Sequence, residues 1–315
     1  MVDTIPPTGA DAPVDASAAT DREGWLSLME EISEDSGYFE PLGTRHWSFF
    51  HDESPTIIVT FEQLDDIRAQ PGQMPRGHAV ALAQGWSHLC IVSDGPSWYR
   101  DPAIYGYFDR LVDDAFFEDF DRVLFYGTGQ AGYAACAYAV TAPGSTVLAI
   151  SPRATQDPAH AGWDRRTPGA RRLDFTSRYG YAPDMIDGCG AVFLMFDPTV
   201  SEDAMHAALF RAPHVTMLRT RYLGNRIEEA LTLLDLLPKL ITTAATGKLT
   251  PQVFATLWRK RRDFGPYLRG LLARTEGANH TRRAIWLCRS VTSRMNAPRF
   301  KKRLADLEAR VNAGD

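Results

Sequence analysis

One stretch decides the fold, Arg122-VLFYGTGQAGYAACAYAVTAPGSTVLAIS-Pro152. It begins with an apolar run over Arg122–Tyr126 and continues into a turn rich in glycine. Small residues that suit a helix follow over Gln130–Ala142, and a second apolar run covers Thr146–Ser151. Strand, turn, helix and strand in this order form the repeating unit of a parallel sheet with helices on its faces.

Similar apolar runs, rich in Val, Ile, Leu and Phe, recur on both sides of this stretch. The other predicted strands are His46–His51, Thr56–Glu62, His88–Ser93, Ala191–Asp197 and His214–Tyr222. The predicted helices around them are Gly24–Ser33, Pro102–Phe120 and Glu202–Phe210. After Tyr222 only helical patterns remain, over Arg226–Thr246, Pro251–Thr275, His280–Ser293 and Pro298–Asn312. This alternation predicts an α/β fold with a mostly parallel sheet and an all-helical C-terminal region.

The glycine-rich turn has two interpretations, and the first is a dinucleotide site. Gly127, Gly129 and Gly132 form G-x-G-x-x-G between a strand and a helix, the arrangement that lets a pyrophosphate approach a helix N-terminus. The next strand ends Ile150-Ser151-Pro152-Arg153, without the acidic residue that would bind ribose hydroxyls. A lone glycine fingerprint is weak evidence, so an NAD(P)-dependent oxidoreductase remains the alternative.

The second interpretation is a resemblance to the nucleophile elbow of the α/β-hydrolase superfamily. There a sharp strand–turn–helix holds the nucleophile between small residues two before and two after it. Gly127 and Ala131 take those two positions, Gly132 follows, and the helix opens with Tyr133-Ala-Ala. The resemblance spans roughly residues 45–230. It implies a three-layer sheet of α/β-hydrolase type.

The resemblance also implies positions for a catalytic triad, and two of its three chemical groups are missing. Gly129 takes the place of the nucleophilic serine, and Thr128 is a poor substitute because Tyr126 and Gln130 flank it. Asp197 takes the place of the acid, although it can equally shape the turn before Pro198. Asn225 stands nearest to the position of the histidine, and an amide cannot shuttle a proton at neutral pH.

Residues at the predicted carboxyl edge of the sheet are expected to bind a ligand, because open α/β sheets bind ligands there. Around the turn these are Gly127, Thr128 and Gln130. Trp98, Tyr99 and Arg100 follow another strand and would suit a sugar or an anionic group. Alternatively, the aromatic pair packs under a neighbouring segment while Arg100 pairs with a carboxylate.

Charge divides the chain into an acidic body and a basic tail. Residues 251–315 hold 15 Lys and Arg against 5 Asp and Glu, whereas residues 1–250 hold 19 against 34. The tail predicts binding to an acidic protein or an anionic surface, or else a solvated face that docks on the acidic body. Its aromatic residues recur at the spacing of a core, so binding to nucleic acid is not expected.

We expect four parts of the chain. Residues 1–23 form a flexible leader because they lack a periodic apolar face. Residues 24–226 form the α/β domain, in which 155–190, rich in Gly, Pro and Arg, is a lid or insertion. Residues 227–315 form the basic helical domain.

Several classes of protein and site are not expected. No apolar run approaches the ~20 residues of a membrane-spanning helix, and the first residues do not resemble a secretory signal. The four cysteines, at positions 90, 136, 189 and 288, form no C-x-x-C pair, which fits buried thiols in the cytoplasm. Metal-binding and P-loop motifs are missing, so neither a metal nor another cofactor is predicted.

These observations together favour a catalytically degenerate α/β-hydrolase-like protein that acts as a binding or scaffold module. Its ligand would be a small molecule or a glycan, and cell-surface glycan assembly or export is one setting. The alternative is an enzyme with a non-standard site, either a hydrolase or acyltransferase or the oxidoreductase named above. We expect Asp197 and Asn225 to face Gly129 with no histidine within hydrogen-bonding reach.

Overall fold

The computed structural model describes residues 15–312, and within them one eight-stranded sheet forms the centre of the molecule. The strands are β1 Gly37–Leu42, β2 His46–His51, β3 Thr56–Gln63, β4 Ser87–Ser93, β5 Arg122–Thr128, β6 Thr146–Ile150, β7 Ala191–Phe196 and β8 Val215–Arg219. Their order across the sheet is β1-β2-β4-β3-β5-β6-β7-β8. Strand β2 runs antiparallel to both of its neighbours, and strands β3 to β8 are parallel. The predicted α/β class is confirmed.

Thirteen α-helices lie within the described residues. They are α1 Arg22–Ser33, α2 Leu64–Arg68, α3 Arg76–Gln84, α4 Pro102–Asp113, α5 Gln130–Tyr138, α6 Pro158–Ala161, α7 Ser201–Leu209, α8 Ile227–Leu233, α9 Leu237–Ala245, α10 Pro251–Leu257, α11 Gly265–Gly277, α12 Thr281–Thr292 and α13 Pro298–Asn312. None of them is long and apolar enough to cross a membrane.

Strand β1 is missing from the sequence-based prediction. It contains Glu40 and Pro41, which argue against a strand, and it lies at the edge of the sheet, where a missing N–H is tolerated. Gly37 is required there, because a Cβ atom would lie 2.0 Å from the carbonyl oxygen of Phe50.

Two predicted long helices are each broken. The pattern over Arg226–Thr246 forms α8 and α9, because Asp235 takes a left-handed conformation at φ 53°. The pattern over Pro251–Thr275 forms α10 and α11, with a 3-10 helix, Trp258–Asp263, between them. Apolar periodicity continues through both breaks, so it could not locate them.

Hydrophobic layers cover both faces of the sheet. On one face, α4 and α5 bury Phe108, Tyr133 and Tyr138 against strand residues that include Phe61 and Phe125. On the other face the layer comes largely from α8, α9 and α10, with the adjoining Trp258. It contains Leu231, Leu240, Ile241, Phe254 and Trp258, packed on Ile58, Leu124 and Leu148. The apolar contacts of the sheet therefore continue beyond residue 226.

Helices α11, α12 and α13 enclose a separate small hydrophobic cluster. Its buried members are Leu268, Ala284, Ile285, Cys288, Val291, Phe300 and Leu307. All four cysteines of the chain are free and buried, as the absence of C-x-x-C pairs predicted.

Residues 1–14 of the predicted leader lie outside the described residues. Of the remainder, Ala16 and Ala19 are buried beside Trp25 and Met29 of α1. The indole N–H of Trp25 donates to the carbonyl of Gln73, whose side chain donates to the carbonyl of Ala19. This part of the chain is therefore packed on the domain.

The segment 155–190 forms no strand and is held to the domain by a buried group of charges. Nε2 of His206 donates to Oδ2 of Asp164 at 3.0 Å, because its Nδ1 accepts a backbone N–H. Arg153 and Arg166 each form ion pairs with both Asp164 and Asp203. Although burial raises it, the hydrogen bonds from Arg166 hold the pKa of Asp164 well below its ordinary value.

Candidate functional site

The glycine-rich turn has the geometry of an elbow at the carboxyl end of a central strand. Strand β5 lies between β3 and β6 and ends at Thr128, and α5 begins at Gln130. Gly129 stands between them at φ 62° and ψ −114°, a conformation that residues with a Cβ atom rarely adopt. Its N–H donates to the carbonyl of Ile150 at 2.8 Å. The predicted position of Gly129 at the tip of the turn is confirmed.

The residues around the tip are small because the backbone segments almost touch. A Cβ atom on Gly127 would lie 2.2 Å from the carbonyl oxygen of Ala131 and 2.7 Å from the nitrogen of Gly132. A Cβ atom on Gly132 would meet β6 and the residues after it at 3.2 to 3.3 Å. A sharp turn from strand β5 into a helix, in a sheet of this order, is the feature that defines the superfamily. The fold is of the α/β-hydrolase type.

Three of the solved structures that are similar to this chain are a mycobacterial protein, an acetyltransferase and an esterase. MPT51 from Mycobacterium tuberculosis is 14% identical, with a TM-score of 0.44 over 66% of this chain and 97% of that one. A capsule O-acetyltransferase of Neisseria meningitidis serogroup A is 12% identical, with a TM-score of 0.43 over 62% and 91%. A carboxyl esterase from Tuber melanosporum is 12% identical, with a TM-score of 0.42 over 70% and 83%. No protein-family model and no curated protein matches the sequence.

A pocket of about 100 Å³ opens beside the elbow at the carboxyl edge of the sheet. Its walls come from the ends of β3 and β5, from Tyr99 and from α2, α3, α5 and α8. The lining residues are Thr60, Phe61, Glu62, Gln63, Asp66, Arg76, Tyr99, Tyr126, Gly127, Thr128, Gln130, Ala131 and Glu228. Of the residues expected to bind a ligand, Gly127, Thr128, Gln130 and Tyr99 meet here.

Carboxylates dominate the charge of this pocket. Glu62, Asp66 and Glu228 line it together with a single cationic side chain, that of Arg76. An oxygen of Glu228 lies 3.7 Å from Arg76, and Glu228 also accepts the hydroxyl of Tyr126 at 2.5 Å. The pocket as a whole therefore favours neutral or positively charged molecules.

Glu62, at the end of β3, contributes a carboxyl group to the wall of the pocket. Its carboxylate accepts the backbone N–H groups of Arg76 and Gly77, at 2.8 and 3.0 Å, and so caps the start of α3. Burial raises its pKa, against the opposing effect of those two hydrogen bonds. The carboxyl group thus adds hydrogen-bond acceptors to the wall of the pocket.

Two polar atoms in the pocket wall are buried without a hydrogen-bond partner, Oγ1 of Thr128 and Oε1 of Gln130. The N–H groups in the first turn of α5 also lack partners within the helix, and no side chain caps it. Leaving such groups unpaired costs about 1–3 kcal/mol each. A polar ligand beside the elbow would satisfy them.

Asp197 is buried and fully engaged by neighbouring loops. Its Oδ1 accepts the N–H and the hydroxyl of Thr199 at 2.8 and 2.7 Å, and its Oδ2 accepts the N–H of Gly224 at 2.8 Å. No histidine nitrogen lies within 4.0 Å of this carboxylate in residues 15–312. Asn225, next to Gly224, is exposed, and neither Asp197 nor Asn225 lines the pocket.

Trp98 and Arg100 lie away from the pocket and hold the segment 155–190. Trp98 packs edge-on against Tyr133 and Phe175, with ring centroids 6.0 and 5.9 Å apart. The guanidinium of Arg100 is buried and donates to the carbonyls of residues 174 and 178 and to the hydroxyl of Ser177. Its partners are mainly backbone carbonyls, whereas the sequence suggested a carboxylate or a ligand.

We expect an Arg100→Ala variant to release this segment without changing the pocket. Three hydrogen bonds from a buried charged group disappear, so local opening of residues 174–178 becomes easier. Limited trypsin digestion should then cut after Arg172 or Arg178 at least about tenfold faster than in the parent protein. Unchanged cleavage at those two sites would show that Arg100 does not hold the segment.

No sequence motif marks Arg76 or Glu228, so neither was predictable as a pocket residue. They meet at the pocket only because α3 packs on β3 and β4 while Glu228 of α8 contacts Tyr126 of β5. Glu62, His88 and Cys90 also come together, with possible ligand atoms within 4.8 Å of one another. Oγ1 of Thr60 lies between two of them, 2.9 Å from Nε2 of His88 and 3.2 Å from Oε1 of Glu62. These contacts make the group part of the hydrogen-bonded support of the pocket wall.

Proposed function

We propose that this protein is a catalytically degenerate α/β-hydrolase-like protein that binds a small polar ligand beside its elbow. The observation that carries the proposal is Gly129 at the tip, in the backbone conformation of a nucleophile but without a side chain. The space above it is open, because a Cβ atom there would meet nothing within 4 Å. Bound ligand can therefore approach the backbone where a hydrolase would place its serine.

The surroundings of the other two triad positions support a loss of catalysis. The three hydrogen bonds to Asp197 tie residues 199 and 224 together, which is a structural role. Asn225 offers an amide, which has no useful acid–base chemistry at neutral pH. A triad needs a base within hydrogen-bonding reach of its nucleophile and an acid that orients that base.

The chemistry of the pocket favours a ligand rich in hydroxyl groups or one that carries an amine. Glu62, Thr128 and Gln130 offer acceptors, and the first turn of α5 offers donors. A sugar satisfies both kinds of group, which is why a glycan remains our preferred ligand class, with glycan assembly or export as its setting. A pyrophosphate would face three carboxylates, and Arg153 is paired with Asp164 and Asp203 rather than free for a ribose phosphate.

The alternative, an enzyme with a non-standard site, is favoured by one observation. Glu62 lies in the pocket with a raised pKa, and carboxyl groups tuned in this way serve as general acids or bases. A hydrolase or acyltransferase of this kind would depend on Glu62 and not on Gly129. Substitution of Glu62 by glutamine would then abolish turnover while leaving the elbow intact.

The experiment that tests the loss of catalysis compares the rates at which four proteins hydrolyse a small activated ester. We expect the parent protein and the Gly129→Ser variant to hydrolyse the ester at the rate of buffer, because a serine without a base is a weak nucleophile. Gly129→Ser with Asn225→His restores a nucleophile and an imidazole, and any turnover should be confined to this double variant. Glu62→Gln serves as the control for the alternative.

Robust hydrolysis by the parent protein, or its labelling by a serine-directed fluorophosphonate, would contradict the proposal. Ligand binding is measured separately by calorimetry with neutral sugars, an amino sugar and NAD(P). Thr128→Val is the matched variant, because it removes one unpaired pocket oxygen while keeping the shape of the side chain. We expect sugar affinity to fall about tenfold in this variant. Measurable binding of NAD(P), equally tight to the parent protein and to the Thr128→Val variant, would instead favour the dinucleotide interpretation.

A further inference from the structure

The helices after residue 258 carry far more positive than negative charge, and internal pairing does not balance it. All four acidic residues of the described part of this region form ion pairs with arginine. The pairs are Asp263 with Arg294, Glu276 and Asp306 with Arg303, and Glu308 with Arg289. The other basic side chains of α11, α12 and α13 have no carboxylate partner within residues 15–312. A surface rich in unpaired positive charge remains.

An exposed tryptophan lies within this surface. The side chain of Trp286 on α12 is 66% exposed, the largest exposed fraction among the bulky apolar residues of the described chain. Arg282 and Arg283 precede it by four and three residues, so both lie on the same face of the helix. The buried residues of α12, including Ile285 and Cys288, point into the bundle instead.

The partner helix α13 extends this face at the same end of the hairpin. The ion pair between Arg289 and Glu308 aligns the two antiparallel helices. Residue 286 lies one turn before Arg289 on α12, and residue 311 lies one turn after Glu308 on α13. Because the helices run in opposite directions, residues 286 and 311 lie at the same height along the hairpin. Val311 is 46% exposed and Arg310 is also exposed. We call Arg282, Arg283, Trp286, Arg310 and Val311 the Trp286 surface.

We propose that the Trp286 surface attaches the protein to a membrane that contains anionic phospholipids. Basic side chains near such a membrane are attracted by its negative surface potential. Tryptophan places its amphipathic ring at the level of the headgroups, and valine beside it adds apolar contact. The body of the protein, which is acidic, would then face away from the membrane.

The composition of the surface favours a membrane over a macromolecular partner. A protein hot spot is surrounded by further contacts that exclude water, whereas the other exposed residues of α12 are charged or small and polar, namely Arg282, Arg283, Arg289 and Ser290. Single-stranded nucleic acid binds in a groove with several aromatic platforms, and here one tryptophan stands on a convex helix. A fluid, negatively charged plane demands neither a groove nor a complementary shape.

The test is co-sedimentation of the full chain with lipid vesicles. We expect binding to vesicles of phosphatidylcholine mixed with phosphatidylglycerol, little binding to phosphatidylcholine alone, and release at about 0.5 M NaCl. The Arg282→Glu, Arg283→Glu variant should bind at least about 30-fold more weakly, because two attractions become repulsions. Trp286→Gln should bind about tenfold more weakly, even at low salt.

The matched control is the Arg165→Glu, Arg172→Glu variant, which changes the net charge equally on exposed residues of another region. Leu233→Ala removes a different exposed apolar side chain, 64% exposed, and is the control for Trp286→Gln. Circular dichroism checks that each variant is folded. Equal binding to both kinds of vesicle, equal losses in the controls, or no binding by the parent protein would each overturn the proposal. Tighter binding to an oligonucleotide than to anionic vesicles would overturn it in favour of nucleic acid.

Discussion

Replacement of Gly127 by alanine is expected to destabilise the protein by at least about 4 kcal/mol. The added Cβ atom would lie 2.2 Å from the carbonyl oxygen of Ala131, 2.3 Å from its carbonyl carbon and 2.7 Å from the nitrogen of Gly132. All three are backbone atoms at the start of α5, so no flexible side chain can move aside. Since domains of this kind are stable by only about 5–15 kcal/mol, most of the variant should be recovered unfolded or aggregated.

Gly129→Ala is the matched control, two residues further on in the same turn. Its Cβ atom meets nothing within 4 Å, and only the positive φ of 62° opposes it. We expect a loss of about 1–3 kcal/mol, the cost of holding a residue with a Cβ atom in such a sparsely populated backbone conformation. Urea unfolding of both variants measures the difference. Similar losses in the two variants would show that the close approach at Gly127 is not what requires glycine.

Stability should fall steeply as the solution becomes acidic. Burial lowers the pKa of His78 and of His206 to about 4, from an ordinary value of 6.5. Below pH 6.5 these two histidines are therefore protonated in the unfolded chain but remain neutral in the folded chain until the pH approaches 4. The stability from these two groups is fully present above pH 6.5 and is lost as the pH falls towards 4. Well below pH 6.5 each contributes up to about 1.4 kcal/mol per pH unit, and the loss from both between pH 6.5 and 5 should be about 3 kcal/mol.

The groups that face these histidines explain why they resist protonation. His206 contacts Asp164, which favours its charged form, but it also faces Arg153 and Arg166, which oppose it. His78 faces two further imidazoles, those of His51 and His88, with ring centroids 5.2 and 6.0 Å away. Asp164 adds a further loss of stability at more acidic pH. Its pKa is lowered in the folded protein, so its stabilising contribution requires the ionised carboxylate and is lost as the pH falls below the ordinary pKa of an aspartate.

Urea unfolding at several pH values between 7.5 and 5 measures this slope. His78→Gln should reduce it by about 1.4 kcal/mol per pH unit, whatever its effect on stability at neutral pH. Leu233→Gln, which changes no titratable group at a position 64% exposed, should leave the slope unchanged. A flat profile in the parent protein would show that the two buried histidines titrate at their ordinary values.

The elbow could be predicted from the sequence because it is formed by consecutive residues. The run into the turn, the glycines and the small residues after them are consecutive, and each reports a constraint on the backbone at its own position. The strands from β2 to β7 were predictable for the same reason, because a buried strand is a short continuous apolar run. Breaks inside helical patterns could not be predicted in this way. Asp235 is an example, because its left-handed conformation leaves the apolar spacing around it intact.

The amino-acid sequence by itself determined the mostly parallel sheet, the glycine at the elbow tip, the buried cysteines and the division of charge between body and tail. Only the tertiary structure decided which side chains meet. It brought Glu62, Arg76 and Glu228 from three separate elements to one pocket, and it placed Arg100 among backbone carbonyls. It also buried Asp164 against His206, 42 residues away in the chain. Such contacts depend on how helices pack on the sheet, and packing leaves no local pattern in the sequence.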